Sequence, residues 1–472
     1  MKIKSFIAAI LVLLAFSSCN NEVVNETPLP ADTETEFQEK GYLVLNLVNP
    51  PATRTSVGDE GTEEGSVNES NIDSLIVVLT DKAGLITSVI VPEDMEGMSA
   101  KFQVALGGHY VFALVNCPED VKIEVGGNIH RVIAIAEAGD VTSGYMDGSF
   151  MMINRSLPDV DFAGVRVVVN EKHSVNMPAR VDVYVDRVVC KIYDVTKAPV
   201  EVGFSSPTKE FIDGVDVLGF VLLNVNKKFN LIQTWSDYDL YDEKILSTPL
   251  TVSGIIAEQY FHNIGEYTTL AKTDGVISSI TDKTLGKDEL FGSGPVYATE
   301  NRPAIIDMDE EGITSGRGET TGVIYKVQAK KNGENSITFY KYKNVLYNEL
   351  TSINKFPEFS GMDLNSMEIP DLRGLGIQVY EDGIMYYTYY IRDPNTAHQL
   401  DKENYYAVFR NSSYRLEINK ISLIGDDIPG GGVIDPEQEG GPGNPPIGRK
   451  EAFISVNLTV NPWVLNTLKI DF

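Results

Sequence analysis

Short apolar or alternating runs, broken by Gly, Pro, Asn and Asp, recur along most of the chain. The first is GYLVLNLV at residues 41–48, where Leu43, Leu45 and Leu47 alternate with Tyr42, Val44, Asn46 and Val48. Both faces are largely apolar, which predicts a strand buried within a sheet. Runs of strand length follow at residues 72–81, 84–92, 100–108, 109–118, 165–171, 179–195 and 201–206. Past a break near Pro199, a second set occupies residues 217–235, 322–330, 335–344, 376–393 and 405–425. Residues 132–138 and 143–153 fit either a strand or a short helix, and residues 236–318 read as loop-rich with short helices. Helix is otherwise scarce, and no repeat or heptad pattern is present. The expected fold class is all-β: two tandem transthyretin-like, Greek-key β-sandwich domains with a C-terminal strand extension.

The two ends of the chain differ from this pattern. Residues 1–19 have the layout of a lipoprotein export signal, with Lys2 and Lys4 ahead of an apolar stretch at 7–16, then Ser17, Ser18 and Cys19. That stretch is too short to span a bilayer comfortably, and Cys19 supplies the thiol for lipid attachment. No other apolar run is long enough to cross a membrane. Residues 20–40 are polar and acidic and read as a tether. Arg54, the first Arg of the chain, sits in the Pro-containing turn NPPATRTSVGDEG, next to Thr55 and an exposed acidic stretch. Residues 426–450 are rich in Pro and Gly. Beyond them, Ile454, Val456, Leu458 and Val460 alternate with Phe453, Ser455, Asn457 and Thr459, and Val464, Leu468, Ile470 and Phe472 repeat the pattern. Such a tail either completes the chain's own sheet as a hairpin or pairs with another chain. Trp463 reads as a core anchor.

Composition narrows the chemistry. Of 472 residues, 43% are hydrophobic and 9% aromatic, and the formal net charge is -28. So acidic a chain repels nucleic acid and anionic surfaces, which excludes nucleic acid as a partner. Cys117 and Cys190 either pair or stay as thiols, Cys190 in an apolar run. The His residues (109, 130, 173, 262, 398) are scattered, and no metal, phosphate-loop or nucleophile-elbow spacing appears. Residues 307–318 depart from a calcium loop, with Glu311 at an Asp/Asn position and Gly318 at the twelfth. Tyr386, Tyr387, Tyr389 and Tyr390 fit a sugar-binding platform or, better, both faces of a strand. No catalytic residue, cofactor or metal is expected, and the chain reads as a non-enzyme.

The phrases DRVVCKI (186–192), GFVLLNVNKKFNL (219–231), ITFYKYKN (337–344), GIMYYTYYIRD (383–393), YYAVFRNSSYRLEINKISLIG (405–425) and VNPWVLNTLKIDF (460–472), with the export signal and the Arg-containing loop, resemble the fimbrillins of Bacteroidales. These are subunits of type V pili, and the chain is most similar to the major shaft subunit of Mfa-type short fimbriae. The resemblance implies a precursor lipidated at Cys19 and carried to the outer membrane. It implies a cut between Arg54 and Thr55 by a trypsin-like, Arg-specific protease, and departure of the strand at 41–49. A donor strand from within residues 451–472 of another copy then fills the groove, building a head-to-tail polymer with accessory anchor and tip subunits in an extracellular, adhesive fimbrium. The domains implied are 1–18 (signal), 19–54 (propeptide with the first strand), 55–198 and 199–425 (sandwiches) and 426–472 (linker and donor segment). Rival readings are an uncleaved anchor subunit, a tip subunit, or a surface lipoprotein that binds glycans.

Overall fold

The computed structural model describes residues 39–48, 63–66, 68–119, 121–135, 150–157, 162–223, 225–226, 228–238, 243–247, 259–260, 292, 294–302, 305–309, 312–315, 320–391, 406–428 and 454–464. Everything described below belongs to one compact unit, residues 40–472. Among the described residues the chain is mostly strand, in several sheets, with few short helices.

The first sheet has nine strands. They are β1 (Lys40–Val48), β3 (Leu75–Thr80), β4 (Ile86–Ile90), β5 (Met95–Glu96), β6 (Ser99–Ala105), β7 (Gly107–Val115), β9 (Met152–Asn154), β10 (Val165–Val169) and β11 (Ala179–Arg187). Their order is β4-β3-β7-β9-β11-β1-β6-β5, with β10 also on β7. The second sheet holds β2 (Glu63–Glu64), β12 (Val189–Asp194), β13 (Glu201–Val202), β20 (Val296–Thr299), β29 (Ser412–Ile421) and β30 (Ile454–Val464), in the order β2-β30-β29-β12-β20 with β13 on β29. A third sheet joins β14 (Gly214–Leu223), β23 (Gly322–Lys331), β24 (Glu334–Asn335) and β28 (Ile384–Tyr390). Smaller pairs are β8 (Ile133–Ile135) with β16 (Lys228–Asn230), β15 (Val225–Asn226) with β19 (Gln259–Tyr260), β17 (Thr234–Tyr238) with β18 (Glu243–Ser247), and β21 (Ile305–Asp309) with β22 (Gly312–Ser315). A three-stranded sheet of β25 (Phe339–Tyr342), β26 (Val345–Tyr347) and β27 (Gln378–Tyr380) completes the set.

The alternation read from the sequence becomes the inward face of each strand. In β11, Ala179, Val181, Val183 and Val185 are buried while Arg180, Asp182 and Tyr184 are exposed. A continuous apolar core runs from Leu43 on β1 through Phe112 on β7 to Tyr325 on β23 and Ile418 on β29. Two polar clusters are built into the interior. Arg410 pairs with Glu300, at 2% and 0% side-chain exposure. Arg410 also donates to the Leu231 and Asn230 carbonyls, and Gln233 donates to Glu300 at 2.8 Å. Arg187, almost fully buried at the end of β11, donates through Nε to the Glu69 carbonyl at 2.9 Å.

The structure decides several alternatives the sequence leaves open and corrects the reading of residues 236–318. Residues 133–135 and 152–154 are strand, the former directly after a 3-10 turn at Ile129–Arg131. The described parts of 236–318 are strand pairs rather than short helices. Helix instead appears at Leu350–Ile353 and Ile369–Gly374, with 3-10 turns at Pro357–Phe359 and Leu364–Ser366 between them. Their apolar residues, Leu350, Ile353, Phe359, Leu364 and Leu372, close a small core of their own. Cys117 and Cys190 are not joined in a disulfide; Cys190 is buried, and burial pushes its thiol up. The four tyrosines at 386, 387, 389 and 390 are all buried on β28, so they form no sugar platform.

The buried ion pair makes a direct prediction. Changing Arg410→Met strands a buried carboxylate and is expected to cost about 3–5 kcal/mol. The double change Arg410→Met with Glu300→Leu is expected to recover most of that loss. Urea unfolding of the single and double variants checks it.

Candidate functional site

The first strand occupies an interior position with both edges used. Along β11 it runs parallel, in register from Leu43↔Ala179 to Val48↔Tyr184. Along β6 it runs antiparallel, from Lys40↔Ala105 to Asn46↔Ser99. Two loop contacts extend the pairing: Tyr42 N–H donates to the His173 carbonyl and Leu47 N–H to that of Met98, each at 2.8 Å. On the inner face Leu43 and Leu45 are 0% exposed and Leu47 4%. Full burial of such a side chain is worth about 1.5–3 kcal/mol.

The outer face of β1 carries polar locks on either side of the buried Val44. Asn46 Nδ2 donates to Asp182 Oδ1 at 2.7 Å, and Ser99 Oγ donates to Asn46 Oδ1 at 2.8 Å. One side chain therefore bridges both neighbouring strands. Gln103 Nε2 donates to the Tyr42 hydroxyl at 2.8 Å. At the strand's start there is no room beside Gly41: a Cβ there would lie 2.6 Å from Val169 Cγ1 and 3.1 Å from the His173 carbonyl.

The C-terminal strand β30 sits on the second sheet. It pairs antiparallel with β29, from Ser412↔Pro462 to Ile421↔Ile454, with a bulge between Ile418 and Lys420. Ile454 and Val456 are buried, Leu458 is half-buried, and Ser455 and Asn457 are exposed. Val460, Trp463 and Val464 lie on β30 by their backbone. On its far side β30 meets β2, parallel, at Glu63↔Trp463 and Glu64↔Val464. Cys19, Arg54, Thr55, Leu468, Ile470 and Phe472 lie outside the described residues. The structure thus brings Glu63 and Glu64, which follow Arg54 in sequence, beside β30, while β1 lies in the other sheet.

Two polar anchors lie next to these segments in sequence. After β2, Glu69 accepts from the Tyr297 hydroxyl at 2.7 Å and from Ser66 N–H at 2.6 Å, and pairs with Lys191 at 3.1 Å. Burial alone would raise its pKa, but these donors together hold the carboxyl below its ordinary value. Arg187 and Asn411 meet here too, and Asn411 Nδ2 donates to Asp186 Oδ1 at 2.7 Å. Ahead of β30, Asp427 pairs with Arg373 at 2.9 Å and accepts from Val379 N–H at 2.9 Å. Asp426 and Tyr386 exchange two backbone hydrogen bonds of 2.9 Å. Neither anchor was legible from residue patterns, because their partners are far apart in sequence.

No group of His, Cys, Asp and Glu able to hold a metal occurs among the described residues. No helix among them is long and apolar enough to cross a membrane. Trp235 is half-buried and stacked on Phe409 at 5.9 Å, so it offers no open aromatic platform.

The fold defines a class of strand-built protein in which buried polar clusters tie the sheets together. Residues 378–468 match the family described as major fimbrial subunit protein type IV, fimbrillin, C-terminal. No curated protein matches the chain. Solved structures similar to it include a fimbrilin from Porphyromonas gingivalis W83, at 12% identity over 90% of this chain and 98% of that one, TM-score 0.43. A candidate cell adhesion protein from Parabacteroides distasonis is 12% identical over 91% and 98%, TM-score 0.44. A C-terminally truncated tip fimbrial protein, Mfa3, from Porphyromonas gingivalis is 11% identical over 90% and 100%, TM-score 0.34.

The Glu69 anchor gives a pH prediction. A carboxyl held below its unfolded pKa stabilises the fold above that value, and the contribution is lost as pH falls through the folded pKa. Glu69→Gln is therefore expected to lower stability at neutral pH, with the gap to the parent protein closing below about pH 4. Thermal unfolding at stepped pH reads it.

Proposed function

We propose that the chain is the polymerising shaft subunit of a surface fimbria. It is exported, lipidated at Cys19 and held at the outer membrane, then cut between Arg54 and Thr55. The strand at 41–49 leaves, and a strand from residues 451–472 of the next copy takes its place. The sandwiches are residues 55–198 and 199–425, and the assembled fibre is extracellular and supports adhesion. Its partners are further copies of itself, anchor and tip subunits, and an Arg-specific maturation protease.

The observation that carries the reading is the position of β1. A strand inside a sheet, with three buried leucines and two paired edges, leaves a deep defect when removed. Unpaired backbone groups and an apolar trench are both costly in water. A strand from a neighbour repairs both defects together. The contact is head-to-tail, so it propagates instead of closing. A second reading, an uncleaved anchor or tip subunit, is favoured by the long pairing of β30 on the chain's own β29.

Peptide mass spectrometry of the mature N-terminus on producing cells separates the two. A terminus at Thr55 is expected for the shaft subunit, whereas a lipidated Cys19 supports the second reading. In parallel, Arg54→Ala is expected to leave a lipidated monomer. Normal fibres from that variant would overturn the cleavage step.

A further inference from the structure

Placed side by side, residues 41–48 and 452–459 read GYLVLNLV and AFISVNLT. The correspondence is chemical at each critical position. Small Gly41 faces Ala452, and aromatic Tyr42 faces Phe453. The inward Leu43, Leu45 and Leu47 face Ile454, Val456 and Leu458, and Asn46 faces Asn457. We infer that residues 452–459 of a second copy replace residues 41–48 position for position, with Asn457 taking over the bridge between Ser99 and Asp182. This rests on the strand-exchange reading and deepens it by specifying the donor segment, its register and a specificity-determining residue.

The structure supplies the reasons. Along a strand the side chains alternate, so a slip of one residue turns the whole apolar row outward. Slips of two residues keep the leucine pockets filled and must be rejected some other way. The outer face of β1 does this, because one amide there is bonded to both neighbours, Asp182 on β11 and Ser99 on β6. A donor shifted by two residues puts Ser455 or Thr459 at that place; a hydroxyl can both donate and accept, but its single oxygen lies one bond nearer the backbone than the amide's separate nitrogen and oxygen and does not span the two neighbours in the same way. On its present sheet Asn457 makes one exposed contact, Nδ2 to Asn419 Oδ1 at 2.9 Å. The inward phase is the same in both settings, since Ile454 and Val456 are also the buried residues of β30 where it now lies.

The tail's last stretch fits less well. Aligning Leu465 and Asn466 with Leu45 and Asn46 puts Thr467 in the Leu47 pocket and Asn461 at the Gly41 position. At that position a Cβ already meets Val169 Cγ1 at 2.6 Å. Ala452 asks the Val169 methyl to turn aside and crowds the His173 carbonyl at 3.1 Å and Leu106 Cδ2 at 3.2 Å by a few tenths of an ångström, whereas the larger Asn461 side chain asks for far more. Pro462 would also fall at Tyr42, whose N–H donates to the His173 carbonyl, and proline has no N–H to give.

Register is read by cysteine pairing between copies. In the strand as it stands, Asn46 pairs with Ser99 and Val44 with Lys101. Full-length copies carrying Ser99→Cys are mixed with copies carrying Asn457→Cys, in a background with Cys117→Ser and Cys190→Ala, during fibre assembly under mild oxidant. A disulfide-linked dimer is expected from this mixture and from neither variant alone. A second pair, Lys101→Cys with Ser455→Cys, reports the same register from other positions should one variant fold poorly. Dimers from Ser99→Cys with Ser455→Cys or Thr459→Cys, in place of these, would overturn the register and leave strand exchange standing. Fibres without a dimer from any pair would overturn the donor segment. Deleting residues 451–472 then tests the exchange reading itself, which fails if fibres persist.

Discussion

An interior strand must satisfy two neighbours along every residue, and β1 is such a strand. Its backbone is shared between a parallel partner and an antiparallel one, so no other strand of the first sheet substitutes for it without rearrangement. Sheets tolerate loss at an edge far better than loss at the centre, because an edge already exposes one row of polar groups to water. The arrangement of the nine-stranded sheet follows from this. β6 and β11 are held apart by β1 alone, and the residues that line the gap, Ala100, Phe102, Val181 and Val183, are buried on its account.

The second constraint is the joint between the first two sheets. Arg187 ends β11 and Val189 begins β12, so the chain passes from one sheet to the next within two residues. Arg187, Asp186, Asn411 and Glu69 fasten that passage to the start of β29 and to the segment after β2. A buried arginine is costly unless its donors are met, and here they are met by a carbonyl and by side-chain oxygens of Asn411 and Ser70. The segment that follows residues 49–62 is thereby tied to the body through Glu69, independently of β1.

Much of the strand content was legible because its signal is local. Alternation in residues 179–187 announces which face is buried, the doubly apolar run at 41–48 announces an interior strand, and the sheet bears out both. The helical insert at 350–374 was not legible. Its helices are too short to show a period, and Pro357 and Pro370, which read as breakers, stand at the first turns. Nor were the buried polar clusters, since Arg187 and Asn411, or Arg410 and Glu300, meet only after the chain has folded. Asn46 is the instructive case: in sequence it looks like an interruption of an apolar run, and in the sheet it is the side chain that ties three strands together.

The pin at Asp427 has a consequence for how far the chain's end can travel. Residues 428–453 separate it from β30, a span of roughly 85 Å when extended at about 3.3 Å per residue. Under strand exchange, a span of that length lets β30 leave β29 while Asp427 and the body stay in place. The same tether keeps β29 present at an effective concentration on the order of millimolar. A neighbouring groove therefore competes against a host that is always close by. Under strand exchange, filament growth then depends on how densely subunits are delivered to the growing end as well as on how well the groove fits.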